Sequence, residues 1–268
     1  MNIDFAAILV GLSILTGAIW AIDAMFFERA RKAASVPVEG LSNNAPKDPL
    51  LVEYAKSFFP VIFIVLLIRS FIAEPFRIPS SSMVPSLLIG DFILVNKFSY
   101  GLRLPVLNTK ILRIGEPKRG DVLVFRGPKE PNINFIKRVV GLPGDKIEYR
   151  DKQLIINDEP VPQVPLGAYI GTGSNQDPIA RTLISEQLPG REHKMLLSSN
   201  EAPYGFSTWT VPAGNYLVMG DNRDNSSDSR VFGFLPEENL VGKAMFVWLH
   251  VDWVNFGAIF SRVGTSIN

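Results

Sequence analysis

The 268-residue chain contains no cysteine. That one absence excludes disulfides, thiol nucleophiles and thiolate metal sites together. Histidine is scarce as well: His193 and His250 are the only two, far apart in the chain. A histidine-built zinc site or a serine–histidine–aspartate triad would have to use one of them, and neither sits in a metal-binding spacing such as H-E-x-x-H. Net charge is almost nil, with 27 basic residues against 26 acidic ones. Bulk electrostatics therefore give no reason to expect a nucleic-acid partner. Helical periodicity is lacking after residue 75, and no internal repeat occurs.

What is there begins with two apolar runs. Phe5 to Ile22 is apolar or weakly polar throughout, bounded by Asp4 and Asp23. As a helix it would span about 27 Å, close to the thickness of a hydrocarbon core, and Ala24 to Phe27 can extend it. A cleaved signal sequence would need a basic start, and no Lys or Arg precedes Arg29. Residues 1–27 are therefore expected to form a first transmembrane helix. Residues 28–56 read as a polar, poorly structured linker, with Arg29, Arg31, Lys32, Lys47 and Lys56 among Pro, Gly, Ser and Asn. Ser57 to Ala73 is apolar again apart from Arg69, which can snorkel, and Pro60 is tolerated in a membrane helix. This predicts a second span over 57–74, a buried soluble helix being the alternative. The basic linker lies between the spans, so the positive-inside rule puts it in the cytoplasm and residues 75–268 on the other side.

After Glu74 the texture is β. Short apolar runs at Asp91–Lys97, Asp121–Phe125, Phe135–Val140, Lys146–Tyr149, Gln153–Ile156, Thr208–Val211, Asn215–Met219 and Val241–Trp248 are separated by Gly, Pro and Asn-Asp turns. They predict an irregular antiparallel sandwich or barrel. Residues 150–210, above all Pro160 to Pro203, read as a loop-rich insertion. Trp248, Trp253 and Phe256 suit either a membrane interface or a packed strand.

Three stretches carry candidate chemistry. Phe76-Arg-Ile-Pro-Ser-Ser-Ser-Met-Val-Pro-Ser-Leu-Leu88 sets three serines between Pro79 and Pro85. Proline fixes φ and biases its predecessor away from helix, so both flanks are expected to be extended. A serine run pinned in this way is a rigid turn or a displayed nucleophile. Lys137 sits in an apolar strand, sharing a face with Phe135 and Val139 while Ile136, Arg138 and Val140 point the other way. It is an edge lysine that discourages aggregation, or a buried amine whose depressed pKa suits a general base. Gly220 to Arg230 holds two arginines, three aspartates and three serines. A calcium loop fails there for want of Gly at the sixth position and Glu at the twelfth. A solvated loop or a hydrogen-bonded platform remains.

Pro79-Ser-Ser-Ser82-Met83 with Pro85, then Gly90-Asp91, then Lys137-Arg138 leading into Gly141-Leu-Pro-Gly144-Asp145, and lastly the Gly220–Arg230 loop, occur in that order. Together they resemble the bacterial type I signal peptidases, or leader peptidases. The resemblance covers the two-span topology and most of residues 74–250. It implies a serine endopeptidase with a Ser-Lys dyad on a mainly β catalytic domain, without metal or cofactor. Its catalytic domain would lie on the periplasmic side of the bacterial inner membrane and remove signal peptides from exported preproteins, with small residues before the cleavage site.

Ser82 would then be the nucleophile and Lys137 its general base. Ser80 would add a hydroxyl to the oxyanion hole beside the Ser82 N–H. Ser226 would orient the Lys137 amine, with Asp228 and Arg230 bracing that loop. Phe76, Ile78, Pro79 and Ile136 would line the substrate pockets. Many members carry glycine where this chain has Ser81. Two other readings are a self-cleaving repressor, which would be soluble and bind DNA, and a membrane-anchored β-domain that only binds or scaffolds partners.

Overall fold

The computed structural model describes residues 5–34, 47–106, 109–171, 175, 179–198, 207–252, 257–258 and 260–267. The chain divides into two units, Met1–Ile72 with Arg103–Thr109, and Ala73–Leu102 with Lys110–Asn268.

The first unit is helical. Phe5–Ile22 runs through a π-helical turn at Asp23–Phe27 into Glu28–Ala34, and Leu50–Leu67 runs into a similar turn at Ile68–Ile72. The continuous helices Phe5–Ala33 and Leu50–Ile72, of mean hydropathy 2.2 and 2.0, are long and apolar enough to cross a membrane. Both are longer than the apolar runs suggested, because residues 28–34 and 50–56 are helical where a poorly structured linker was expected. Their charges are paired across the structure: Arg31 donates to both oxygens of buried Asp23 at 2.5 and 2.7 Å and to Asp48 at 2.8 Å. Lys56 donates to Asp48 at 2.7 Å, and Lys32 to Glu28, one turn earlier, at 2.6 Å. Residues 35–46 of that segment lie outside the described residues. The helices meet where Gly17 presents no side chain, for a Cβ there would lie 2.8 Å from the Phe59 ring. Arg69 sets its guanidinium over the Phe5 ring at 4.3 Å.

The second unit is mainly β, in antiparallel sheets. The central sheet runs in the spatial order Ala73–Arg77, Asp91–Asn96, Leu240–Asp252, Val122–Arg126, Asn134–Gly141, Asn215–Met219, Leu235–Pro236. Gly257–Ala258 pairs with the end of the long Leu240–Asp252 strand. Period-two alternation gives the sheet two apolar faces. Val122, Val124 and Ile136 pack with Ile78, Met83, Leu87 and Ile93 on one face, and Leu123, Phe125, Phe135 and Val139 with Tyr216, Val218 and Leu235 on the other. A four-stranded sheet of Ser207–Thr210, Lys146–Arg150, Gln153–Ile156 and Glu159–Pro160 closes a further cluster around Val140, Tyr149 and Leu217.

Two expectations change here. The 160–203 region is not simply loop: Gln163–Ala168, Arg181–Leu188 and Arg191–Ser198 form a three-stranded antiparallel sheet. Its charges hid it from a hydrophobic-alternation reading, since Glu186 is buried in an ion pair with Arg223 instead of facing water. The serine stretch is extended only as far as Arg77. From Ser81 it folds into consecutive turns, with Val84 N–H donating to Ser81 O at 3.1 Å and Leu87 N–H to Met83 O at 2.9 Å, and with a cis Val84–Pro85 peptide. Trp248 is partly exposed, with its ring edge-on to Phe92. Trp253 and Phe256 lie outside the described residues.

Candidate active site

Two segments far apart in the chain are brought together at Ser82. Ile78 fixes the near end of the serine turn, since its N–H donates to Asp91 O at 2.8 Å and its carbonyl accepts from Gly90 at 3.0 Å. Met83, Val84 and Leu87 are buried and anchor the far end. Between these anchors the Ser82 side chain projects towards the Asn134–Gly141 strand. There Lys137, 3% exposed, holds its Nζ 2.7 Å from Ser82 Oγ and 2.8 Å from the Ile136 carbonyl. Ser80 Oγ lies 3.5 Å from Ser82 Oγ on the exposed side.

Lys137 is paired across the sheet with Leu123, and the Phe135 ring centre lies 6.0 Å from its Nζ. Burial disfavours its charged form and lowers its pKa to about 8, against a smaller upward pull from Asp228 and Asp221. At that pKa a large fraction of the amine is neutral near pH 8. A protonated Lys137 donates to Ser82 Oγ; once neutral, it offers a lone pair and the hydroxyl donates instead. That exchange activates a serine when no imidazole is at hand. His193 and His250 are both buried elsewhere, His250 against Asp91 at 2.6 Å. His193 sits between Glu186 and Asp221 at 3.4 and 3.7 Å, with its pKa pushed down to about 4, chiefly by burial.

Arg138, next to Lys137, faces the opposite side, as strand alternation requires. It donates from Nε and Nη2 to both oxygens of Asp221 at 2.8 and 2.7 Å, in a pair with almost no exposure. Burial raises the Asp221 carboxyl, but the Arg138 charge and hydrogen bonds, with smaller contributions from His193 and Ser86, together outweigh it and the net pKa is lowered. The two adjacent cations thus take separate tasks, Lys137 toward Ser82 and Arg138 toward the 220–230 loop.

That loop supplies the rest of the wall. Asp228 accepts from Gly220 N–H at 3.0 Å and from Arg230 Nε and Nη2 at 2.9 and 2.8 Å. Burial works to raise the Asp228 carboxyl, and the Arg230 hydrogen bonds and charge reverse it. Arg230 also donates to the Arg223 carbonyl at 2.5 Å. Ser226 is buried, yet its hydroxyl makes no well-aligned hydrogen bond among the described residues. The expected bond from Ser226 to the Lys137 amine is not formed; the Ile136 carbonyl takes that place. Ser226 Oγ instead packs against Gly220, beside the Ser82 carbonyl.

Of the expected pocket residues, Phe76 and Ile136 are half-buried and Pro79 is exposed, whereas Ile78 is a core residue at 3% exposure. Ser81 does not have positive φ, so serine in place of glycine brings no backbone strain. Its hydroxyl accepts from Asn225 Nδ2 at 3.0 Å. Sequence reasoning passed over Gly220 and Asn222, whose backbone N–H donates to Ser82 O at 3.0 Å. A glycine and an asparagine in a polar loop read as ordinary turn residues; only their proximity to Ser82 singles them out.

Residues 51–249 match the family described as signal peptidase, peptidase S26. The chain is 47% identical to a signal peptidase I of Pseudomonas aeruginosa, over 98% of this chain and 99% of the relative, and 46% identical to one of Pseudomonas fluorescens over the same shares. A crystal structure of a signal peptidase I from Enterococcus faecalis is 29% identical and covers 48% of this chain and 97% of that one, with a TM-score of 0.31. The chain belongs to the signal peptidase family, peptidase S26, and is a serine endopeptidase.

Proposed function

We propose that this protein removes N-terminal signal peptides from exported preproteins by a Ser82–Lys137 dyad, through an acyl-enzyme. The observation that carries the reading is the 2.7 Å contact between Ser82 Oγ and a buried lysine amine whose pKa is brought to about 8. Neutral Lys137 takes the Ser82 proton as Oγ attacks the scissile carbonyl. The ammonium then gives that proton to the leaving amine, and the acyl group stays on Ser82. A water, deprotonated by the same amine, hydrolyses the ester and frees the serine. The Ser82 N–H and the Ser80 hydroxyl receive the negative charge that develops on the substrate oxygen. The 3.5 Å separation of Ser80 Oγ from Ser82 Oγ is long for a hydrogen bond, which leaves the Ser80 proton free for that task. Asp228 and Arg230 brace the loop behind the lysine, and Ser226 supports the dyad by packing against Gly220.

The substrate lies extended along Ala73–Arg77, the outer strand of the central sheet, and its backbone adds to that edge. Phe76, Pro79 and Ile136 shape shallow sites for small side chains, on a floor set by buried Ile78. The two apolar helices, Phe5–Ala33 and Leu50–Ile72, anchor the chain in the bacterial inner membrane, with the basic segment between them cytoplasmic and the β unit from Ala73 onward periplasmic. A scaffold module without catalysis is the competing reading. Incubating a purified preprotein with the wild-type chain and with Ser82→Ala, and sequencing the product N-terminus, separates the two. Cleavage at the signal junction by wild type alone is expected; cleavage by neither chain would favour the scaffold, and by both would remove Ser82 from the chemistry.

A further inference from the structure

We infer that Asn222 is a positioning residue that aims the Ser82 N–H at the substrate oxygen. The inference rests on the reading of Ser82 as nucleophile with its own N–H in the oxyanion hole. Asn222 is 1% exposed and grips the serine turn twice. Its side-chain Nδ2 donates to the Ser81 carbonyl at 3.2 Å, and its backbone N–H to the Ser82 carbonyl at 3.0 Å.

The first contact has a geometric consequence. Ser81 C=O and Ser82 N–H belong to one peptide unit, which is planar and trans, so the two bonds point in opposite directions. Holding the carbonyl against Asn222, with Val84 N–H as its second donor at 3.1 Å, turns the Ser82 N–H away from the loop. Among the described residues that N–H has no acceptor, so it remains available to a substrate. The second contact fixes the following peptide, and the Ser82 Cα between them cannot rotate.

The grip is itself held rigidly. Asn222 bridges to Leu196 of the Arg191–Ser198 strand, and Leu196 N–H donates to Asp221 O at 2.8 Å while Arg223 N–H donates to Leu196 O at 3.1 Å. The three-stranded sheet therefore forms the back support of the oxyanion donor. The choice of side chain is informative too. Asn222 Oδ1 is buried without a partner among the described residues, an arrangement that is unfavourable in itself. An apolar residue would avoid that, so the position is used for its amide N–H.

The test compares full-length wild type, Ser82→Ala, Asn222→Asp and Asn222→Ala in detergent on one synthetic preprotein. Asn222→Asp keeps the shape and the backbone N–H but sets an acceptor against the Ser81 carbonyl; Asn222→Ala removes the amide without adding charge. Both should lower kcat by about tenfold to a hundredfold, less than the roughly hundredfold to thousandfold loss when an oxyanion donor is removed outright, with KM changed by less than about twofold. In Asn222→Ala the pH dependence of kcat/KM should match wild type, because Lys137 is untouched. A peptide aldehyde, which forms a tetrahedral adduct with serine, should lose affinity for Asn222→Ala by the factor lost in kcat, while the matching peptide alcohol should not. With Ser82→Ala inactive, wild-type kcat in both Asn222 variants overturns the inference and leaves the dyad standing. Failure of both variants to fold also overturns it, since Asn222 would then serve the fold alone. Activity in Ser82→Ala removes the dyad reading, and this inference with it.

Discussion

Ser226 Oγ lies against the bare Cα of Gly220, with the Ser82 carbonyl on the same side. A Cβ built on Gly220 would stand 2.2 Å from that hydroxyl and 2.6 Å from the carbonyl oxygen. Gly220 has no positive φ, so the position needs space, not conformational freedom. The 220–230 loop passes the nucleophile's backbone where no side chain fits.

Gly220→Ala should therefore push the loop off Ser82. A displacement near 1 Å at the reacting group costs on the order of a hundredfold in rate, and kcat of Gly220→Ala should fall by about that factor. Thermal unfolding followed alongside activity separates the effects. Normal kcat in a folded Gly220→Ala chain would show that the loop yields without moving Ser82.

Ser80→Ala removes a donor proposed to face the developing charge. Such a loss costs about 3 kcal/mol, roughly a hundredfold in kcat, with little change in KM. Ser81→Ala gives up only an exposed contact with Asn225 and should stay within about twofold of wild type, a change of under 0.5 kcal/mol. Steady-state kinetics on a single preprotein decides it. Equal, mild effects of the two substitutions would return Ser80 to a turn role.

How much of this was legible beforehand follows from what alternation and turn chemistry can carry. Gln153–Ile156 and Asn215–Met219 match the strands read from the sequence residue for residue, because Leu154 and Ile156 alternate into one apolar core, Tyr216 to Met219 alternate between two, and Gly, Asp or Asn turns bound both strands. The 181–198 strands were missed because Glu186, His193 and Arg181 are buried as charged or polar groups, which hydropathy counts as surface. Ser82 and Lys137 could be paired through the motif order, but the contact spans 55 positions and its distance is set by the sheet register. A turn at Ser81–Ser82 was one of the two readings of the serine run, but the flank before Pro85 is not extended and the hydrogen bonds to Asn222 that hold the turn could not be foreseen. Those bonds come from a loop some 140 residues later, and no local rule reaches that far.

Burying Lys137 has a stability signature with a definite sign. The unfolded chain titrates this lysine near 10.5 and the folded one near 8. Below pH 8 both states carry the charge, and the folded state bears a penalty of roughly 3 kcal/mol. Between pH 8 and 10.5 the folded state sheds its proton first, so stability rises with pH; above 10.5 the penalty is gone. Lys137→Met has no such penalty. It should be the more stable protein relative to wild type at pH 7 than at pH 10.5, with the change concentrated between 8 and 10.5. Urea midpoints measured across that window check it, and a pH-independent difference would mean that Lys137 is not effectively desolvated.

The Ser82–Lys137 dyad is tested most directly by the pH dependence of kcat/KM, which reports groups in the free enzyme. With Lys137 as general base, kcat/KM should rise tenfold per pH unit and level off through an apparent pKa of about 8, the value that burial gives its amine. Lys137→Ala and Lys137→Arg should be inactive at every pH, the latter because a guanidinium stays protonated. An acid limb near 6.5 or lower, in the ordinary histidine or carboxylate range, or a measurable rate in Lys137→Ala, would contradict the Ser82–Lys137 dyad.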